Sequence, residues 1–190
     1  MSGHGPLACR LDDALREAPL DPSAYAREAD RLADAIGSAR SQPRELLDRL
    51  GEAASVLRIA GRLDEARRAA SAAVALADLL EDPRAAFENQ LRLAHVMQWE
   101  KRFDLATAWF DRLEAQARSM ALFGDLLPPV LEHAGRNLLD QGCHAQAAQR
   151  FREALALRQA EGDPDAAQIA AHSLQRALLA EREAEGRADC

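Results

Sequence analysis

The sequence predicts an all-α protein, an α-solenoid of stacked antiparallel helix hairpins with about nine helices. The first observation is an internal repeat. The stretch "GRLDEARRAASAAVALADLLEDP" at 61–83 has the same pattern as "GCHAQAAQRFREALALRQAEGDP" at 142–164. In both stretches a glycine is followed by alanine at +5 and by Asp-Pro at +21. The second observation is composition: aromatic residues make up 4%, alanine is abundant, and no β-branched run alternates with polar residues. Close-packed helices suit that composition better than strands do.

Helix starts and stops are signalled along the whole chain. An Asp-Pro pair is a strong start signal, because the Asp oxygen accepts an orphan N–H and Pro has none to satisfy. Such pairs stand at 21–22, 82–83 and 163–164, and further starts are predicted near Pro43 and in 125–129. Glycines fall where helices should stop. The predicted helices are 6–17, 22–38, 43–60, 63–81, 83–100, 103–122, 126–141, 144–160 and 164–185.

No long linker divides the chain, so we predict one helical domain over 6–185. Within it we expect N-terminal helices at 6–42, three repeats at 43–82, 83–124 and 125–163, and a C-terminal capping helix at 164–185. Residues 1–5 and 186–190 are predicted to be disordered.

Charge, hydropathy and cysteine usage exclude several classes of function. The net charge of -7 argues against a general nucleic-acid partner. No apolar run approaches the length of a membrane span, and the N-terminus has no leader pattern. The three cysteines are far apart, which disfavours disulfides and zinc. We therefore expect a cytoplasmic protein with no membrane partner. Lys101 is the only lysine, an arginine bias that suggests a GC-rich bacterial source.

Three turns between helices align at a period of 40 to 41 residues: "GRLDEA" at 61–66, "KRFDLA" at 101–106 and "GCHAQA" at 142–147. Small residues recur seven before each turn, and larger ones four before it. Two helices approach closely only where small side chains lie at the crossing. The small residues are Ala54, Ala94 and Gly135 before the turn, and Ala66, Ala106 and Ala147 at +5 within the second helix. Position +9 of the three units holds Ala70, Phe110 and Phe151.

This pattern resembles the tetratricopeptide repeat (TPR), with its small, large, Gly, Ala and aromatic positions. The likeness covers roughly 47–165. The period resembles the longer repeats of kinesin light chains and some bacterial regulators rather than the usual 34 residues. The early Trp is absent, and Lys101 stands where Gly is usual. The alternative is a bundle of paired helices without a true repeat.

The TPR resemblance implies a concave groove, lined by the first helix of each pair, that binds a peptide or helix of a partner protein. Matching groove positions in the first unit are Asp48, Glu52, Ser55 and Arg58. The candidate groove residues that we single out are Arg92, His95, Trp99, His133, Arg136, His172 and Arg176. The carboxylate-clamp pattern of one TPR subtype is not matched.

Arg92, Arg136 and Arg176 place a line of guanidinium groups in an acidic protein. They could recognise an acidic segment, because arginine offers a bidentate fork. The alternative is pairing within a helix, since Glu88 and Glu132 precede Arg92 and Arg136 by four residues.

Trp99 could anchor a partner or could pack on Phe103. His95, His133 and His172 lie on successive predicted groove helices, but neighbouring helices are too far apart for three such side chains to share a metal. No catalytic motif occurs, so no catalytic residue, metal or cofactor is predicted and the chain is not expected to be an enzyme.

The sequence therefore predicts a protein–protein interaction module: an adaptor, a partner-specific chaperone or a regulatory subunit. One alternative is a self-associating scaffold, such as a homodimer formed through the Ala-rich stretch 69–77. A less favoured alternative is an enzyme with no recognisable motif.

Overall fold

The computed structural model of this chain describes residues 7–188, with side chains to residue 186. Eight α-helices fill most of that range, and a short β-hairpin precedes them. The strands are β1 (Cys9–Leu11) and β2 (Glu17–Pro19). The helices are α1 (Pro22–Ser38), α2 (Pro43–Ile59), α3 (Leu63–Leu79), α4 (Pro83–Trp99), α5 (Phe103–Ser119), α6 (Leu127–Asp140), α7 (His144–Glu161) and α8 (Pro164–Ala188), with 3-10 turns at Ala39–Ser41 and Ala121–Leu126.

The prediction of a helix over 6–17, and of no strand at all, is wrong. The two strands pair antiparallel, with Leu11 opposite Glu17 and Cys9 opposite Pro19. Asp12 closes the loop between them: its N–H donates to the Arg16 carbonyl at 2.9 Å, and its Oδ1 accepts from the Arg16 N–H at 2.9 Å. The side-chain acceptor of Asp12 competes with helical hydrogen bonds, as short polar side chains do in turns.

The predicted helix starts are otherwise accurate, and Asp caps are the reason. Asp21 Oδ1 accepts from the backbone N–H of Ser23 at 2.9 Å and of Ala24 at 3.1 Å. Asp82 and Asp163 each accept from the N–H three residues on, both at 3.0 Å. Every predicted start from residue 22 onward matches except that of α6, which begins one residue later than expected.

The repeated turns have one backbone geometry. Gly61 and Gly142 both have φ of 77°, a left-handed conformation that costs glycine no steric energy. The N–H of the following residue then donates to the carbonyl five residues before it, as in a Schellman motif. Arg62 donates to Leu57 at 2.8 Å, and Cys143 donates to Leu138 at 2.9 Å. Lys101 has the same conformation, with φ of 60°, although it carries a side chain. The turn type is therefore set by the repeat and not by the residue.

Burial confirms the register of the repeat. The alanines five residues after each turn start, Ala66, Ala106 and Ala147, are all 0% exposed, as are Ala54 and Ala94. The residues at +9 (Ala70, Phe110 and Phe151) and at +12 (Ala73, Leu113 and Ala154) are buried too. Small and large side chains thus alternate in the packed interior as the spacing predicts.

The described residues divide into two compact units: 7–12 with 16–101, and 13–15 with 102–188. We call them the N-terminal unit and the C-terminal unit. In the N-terminal unit α1 packs on α2, α2 on α3 and α4, and α3 on α4. In the C-terminal unit α5 packs on α6, α6 on α7, and α7 on α8. The single domain and the repeat boundaries given above stay predictions.

The α8 helix continues through Ala188, three residues beyond the predicted end. Residues 186–188 are therefore helical where disorder was predicted. The predicted disorder of 1–5 and of 189–190 lies outside the described residues. Within 7–188, no helix is long and apolar enough to cross a bilayer.

Candidate protein-binding site

The site in the N-terminal unit is built around Arg58, near the C-terminal end of α2. Its guanidinium is buried, with only 6% of the residue exposed. Arg58 Nη1 donates to Oε2 of Glu17 at 2.9 Å, and Nη2 lies 3.4 Å from Oε1. Two parallel contacts from a planar guanidinium to one carboxylate fix the orientation of both groups. Glu17 lies on β2, so the hairpin supplies the carboxylate and the helices supply the cation.

Trp99, the last residue of α4, provides an aromatic surface beside this ion pair. The guanidinium carbon of Arg58 lies 4.8 Å from the centroid of the Trp99 ring, and that of Arg16 lies 5.7 Å from it. Both distances are within the range of cation–π attraction. Trp99 therefore contacts one arginine of the repeats and one arginine of the hairpin loop.

His95 lies one turn before Trp99 and is 4% exposed. The Trp99 indole N–H donates to His95 Nε2 at 3.3 Å. The same Nε2 lies 3.9 Å from Glu17 Oε2. His95 therefore connects the Trp99 indole and the Glu17 carboxylate.

Tyr25 on α1 connects the hairpin to the packed interior. It is 3% exposed and belongs to the apolar core that also includes Leu57 and Val96. Burial is the main cause that raises the pKa of Tyr25 to about 12, and a hydrogen bond to the Cys9 side chain adds to the shift. The nearby Glu17 carboxylate acts in the same direction. The phenol thus stays protonated at neutral pH.

In the C-terminal unit, Arg176 of α8 contacts the backbone of residue 13. Its Nη2 and Nε lie 3.0 Å and 3.3 Å from the Asp13 carbonyl oxygen. Leu15 follows in the same loop, is 0% exposed and has a left-handed φ of 58°. Arg176 therefore binds a peptide carbonyl of the same chain in this structure, and its proposed contact with an acidic partner segment stays a prediction.

The other predicted groove residues differ in exposure. Arg92 is half-buried, donates to Asn89 Oδ1 at 3.1 Å, and has a pKa lowered by burial. Arg136 is 6% exposed, His133 is partly buried, and His172 is exposed. Glu132, the proposed partner of Arg136 within the helix, accepts from Arg158 at 3.0 Å. Among residues 7–188, no group of three His, Cys, Asp or Glu could hold a metal ion.

The sequence indicated His95 and Trp99 and included Arg58 among the positions taken from the TPR resemblance. It gave no reason to place Glu17 or Arg16 beside them, because both fell in a predicted helix. Turn chemistry was the available signal: Asp12-Asp13 interrupts the segment with residues that favour turns.

The alanines offered for self-association have another role. Ala70, Ala73 and Ala77 are 0% exposed and Ala69 is 8% exposed. One face of α3 is therefore packed inside the N-terminal unit, while Ser71, Ala72 and Ala75 of the same stretch are exposed.

Solved structures with TPR-like repeats have the same fold as this chain. A Podosopora anserina protein described as a kinesin light chain with nearly identical TPR-like repeats matches with a TM-score of 0.62 and 15% identity, over 88% of this chain and 83% of that one. A variant of that protein gives a TM-score of 0.64 with the same identity and coverage. BtubC (BKLC) from P. vanneervenii matches with a TM-score of 0.54 and 19% identity, over 88% of this chain and 72% of that one.

No protein-family model and no curated protein matches the sequence. At the identities of the structural neighbours the likeness concerns the fold alone. The chain has a TPR-like helical repeat fold, as its 40- to 41-residue spacing predicts.

Proposed function

Starting from a TPR-like repeat fold, we propose that this chain is a protein–protein interaction module. We propose further that Arg58, His95 and Trp99, which we call the Arg58 site, bind an extended, carboxylate-bearing segment of a partner protein. Adaptor, partner-specific chaperone and regulatory subunit all fit this function, and the proposed compartment is the cytoplasm.

The observation that carries the proposal is the state of the Arg58 guanidinium. It is 6% exposed, meets a carboxylate at 2.9 Å and lies over an indole ring. A buried cation is costly unless it is paired, so the site favours a ligand with negative charge. The rigid fork and the adjoining ring add a shape requirement, because the carboxylate must approach in the plane of the guanidinium.

Charge elsewhere on the chain supports selectivity. The protein carries a net charge of -7, so most of its surface repels an acidic ligand while the Arg58 site attracts one. Such contrast contributes more to specificity and association rate than to raw affinity. Because the Arg58 guanidinium is buried, salt should weaken binding only modestly, since screening over about 8–10 Å acts mainly on exposed charges.

The test compares three baits at equal concentration: the unmodified chain, Arg58→Gln, and Arg152→Ala as a control with an exposed arginine on α7. Proteins captured from the source cells are quantified by mass spectrometry, and the fold of each bait is checked by circular dichroism. We expect a protein recovered with the unmodified chain and the control to fall by about tenfold or more with Arg58→Gln, as for a desolvated charged contact. Equal recovery by all three baits would refute the site.

Self-association stays the alternative to partner binding. Light scattering separates the two, because a monomer at micromolar concentration is incompatible with a homodimeric scaffold.

A further inference from the structure

The Arg58 site is covered by a segment of the same chain. Glu17 supplies the carboxylate that pairs with Arg58, and Arg16 lies over the Trp99 ring. Arg16 is the last residue of the loop between β1 and β2, and Glu17 is the first residue of β2. The hairpin thus already presents the chemistry that the Arg58 site is proposed to recognise.

We propose that the hairpin, residues 9–19, is an intramolecular competitor that a partner must displace before it can bind the Arg58 site. This inference rests on the proposed function and adds its regulation. It also specifies the partner: an extended segment with a carboxylate for Arg58 and, beside it, a cationic or apolar side chain for Trp99.

The hairpin has little stability of its own, which makes displacement feasible. Each strand has three residues, and an isolated two-stranded hairpin is at best marginally stable in water. The residues of β1 are mostly exposed, with the burial of Cys9 and Arg10 too low to anchor the strand. At the Arg58 site its contacts are polar, through Glu17 and Arg16. Its loop is also held by Leu15, which is 0% exposed, and by the bonds from Arg176 to the Asp13 carbonyl.

The attachment of the hairpin lets it leave without unfolding a helix. Leu20, the residue between β2 and the cap of α1, is 63% exposed. The cap of α1 itself is local, because Asp21 accepts from Ser23 and Ala24 within the same segment. Opening at Leu20 therefore costs the hairpin contacts and leaves the start of α1 intact.

Tethering makes the hairpin an effective competitor. A short linker holds a segment near its site at an effective concentration in the millimolar range. The apparent affinity for an external ligand then falls in proportion to the fraction of molecules with an open site. Weakening the hairpin should raise the affinity for an external ligand without any change to the Arg58 site.

The experiment uses the full chain and a labelled peptide with the sequence of residues 7–20, in which serine replaces Cys9. Binding is measured by fluorescence anisotropy for the unmodified chain, for Glu17→Gln, and for Glu45→Gln as control. Glu45 is an exposed glutamate in the first turn of α2 that faces Arg49 at 3.8 Å. Hydrogen exchange of residues 9–19 is followed in parallel to show whether the hairpin opens.

We expect Glu17→Gln to speed exchange in the hairpin and to bind the peptide at least tenfold more tightly than the unmodified chain, because a buried charged contact is lost from the competitor only. Glu45→Gln should behave as the unmodified chain does. A peptide with glutamine in place of its own glutamate should bind Glu17→Gln weakly. If Glu17→Gln fails to fold, Arg16→Ala serves instead, with an expected gain of about threefold from the lost cation–π contact.

The contrary results separate the two proposals. Equal affinity for the unmodified chain and Glu17→Gln would show that the site binds the peptide but that the hairpin does not compete, which overturns this inference alone. Unchanged exchange in Glu17→Gln would also overturn it, since the Glu17 contact would not hold the hairpin. An open hairpin with no peptide binding would refute the Arg58 site itself.

Discussion

Gly135 in α6 lies against the ring of Phe151 in α7, and it offers the sharpest test of the packing. A Cβ added at Gly135 would lie 2.7 Å from Cε1 of Phe151 and 2.9 Å from both Cδ1 and Cζ. Carbon atoms in favourable contact are about 3.5–4.0 Å apart, so the ring would have to move by about 1 Å. Phe151 is 0% exposed, which leaves the ring little room to move.

We therefore predict that Gly135→Ala destabilises the protein. Overpacking of this kind costs about 1–3 kcal/mol. The higher helix propensity of alanine offsets this loss by up to about 1 kcal/mol in the free energy of unfolding. Gly37→Ala in α1 is the matched control, since an added Cβ there meets nothing within 4 Å. The difference between the two variants removes the helix-propensity gain and should be about 1–3 kcal/mol in the free energy of unfolding.

The assay is urea denaturation followed by circular dichroism, with Phe151→Leu added as a second site. A smaller side chain at 151 should relieve the clash, so the double variant should be more stable than the sum of the single effects by about 0.5–3 kcal/mol. Equal changes for Gly135→Ala and Gly37→Ala, or strict additivity with Phe151→Leu, would contradict the close contact between α6 and α7.

Three further predictions use the same measurement. Lys101→Gly should stabilise by about 1 kcal/mol because it removes a left-handed residue with a side chain, while Gly142→Ala should destabilise by a similar amount. Ala147→Leu should cost about 1–3 kcal/mol, since Ala147 is 0% exposed; an unchanged midpoint would count against the repeat alignment. Burial raises the pKa of Tyr25 to about 12 from an ordinary value of 10.0. As the pH rises, Tyr25 loses its proton in the unfolded state before it does so in the folded state. The free energy of unfolding should therefore fall by about 1.4 kcal/mol per pH unit between about pH 10 and 12. Tyr25→Phe should remove this fall, and a fall that persists in the variant would assign it to another group.

Helix positions were predictable because their signals are local. An aspartate cap acts on N–H groups two and three residues away, and a left-handed turn closes on a carbonyl only five residues back. Both signals lie within a few residues of the helix end that they specify. The alternation of small and large residues also predicts which face of each helix is buried, and the burial of Ala106 and Phe110 agrees with that prediction.

The candidate site was predictable only in part. Groove positions taken from the TPR resemblance included Arg58, His95 and Trp99, which do lie together. Arg92 and Arg136 were groove positions of the same resemblance and were singled out for their charge, yet Arg92 is half-buried and Arg136 is 6% exposed. Charge in a sequence does not report burial, because burial depends on which neighbours cover a side chain.

The sequence by itself determined the helical repeat, the starts of its helices and the small-residue crossings, since each depends on residues within one helix pair. Tertiary structure alone decided the conformation of the first segment. Residues 9–19 form strands where a helix was predicted, and Glu17 meets Arg58 across 41 residues of sequence. A two-stranded hairpin is too small to be stable alone, so its conformation depends on contacts with α2 and α4 that no local pattern encodes.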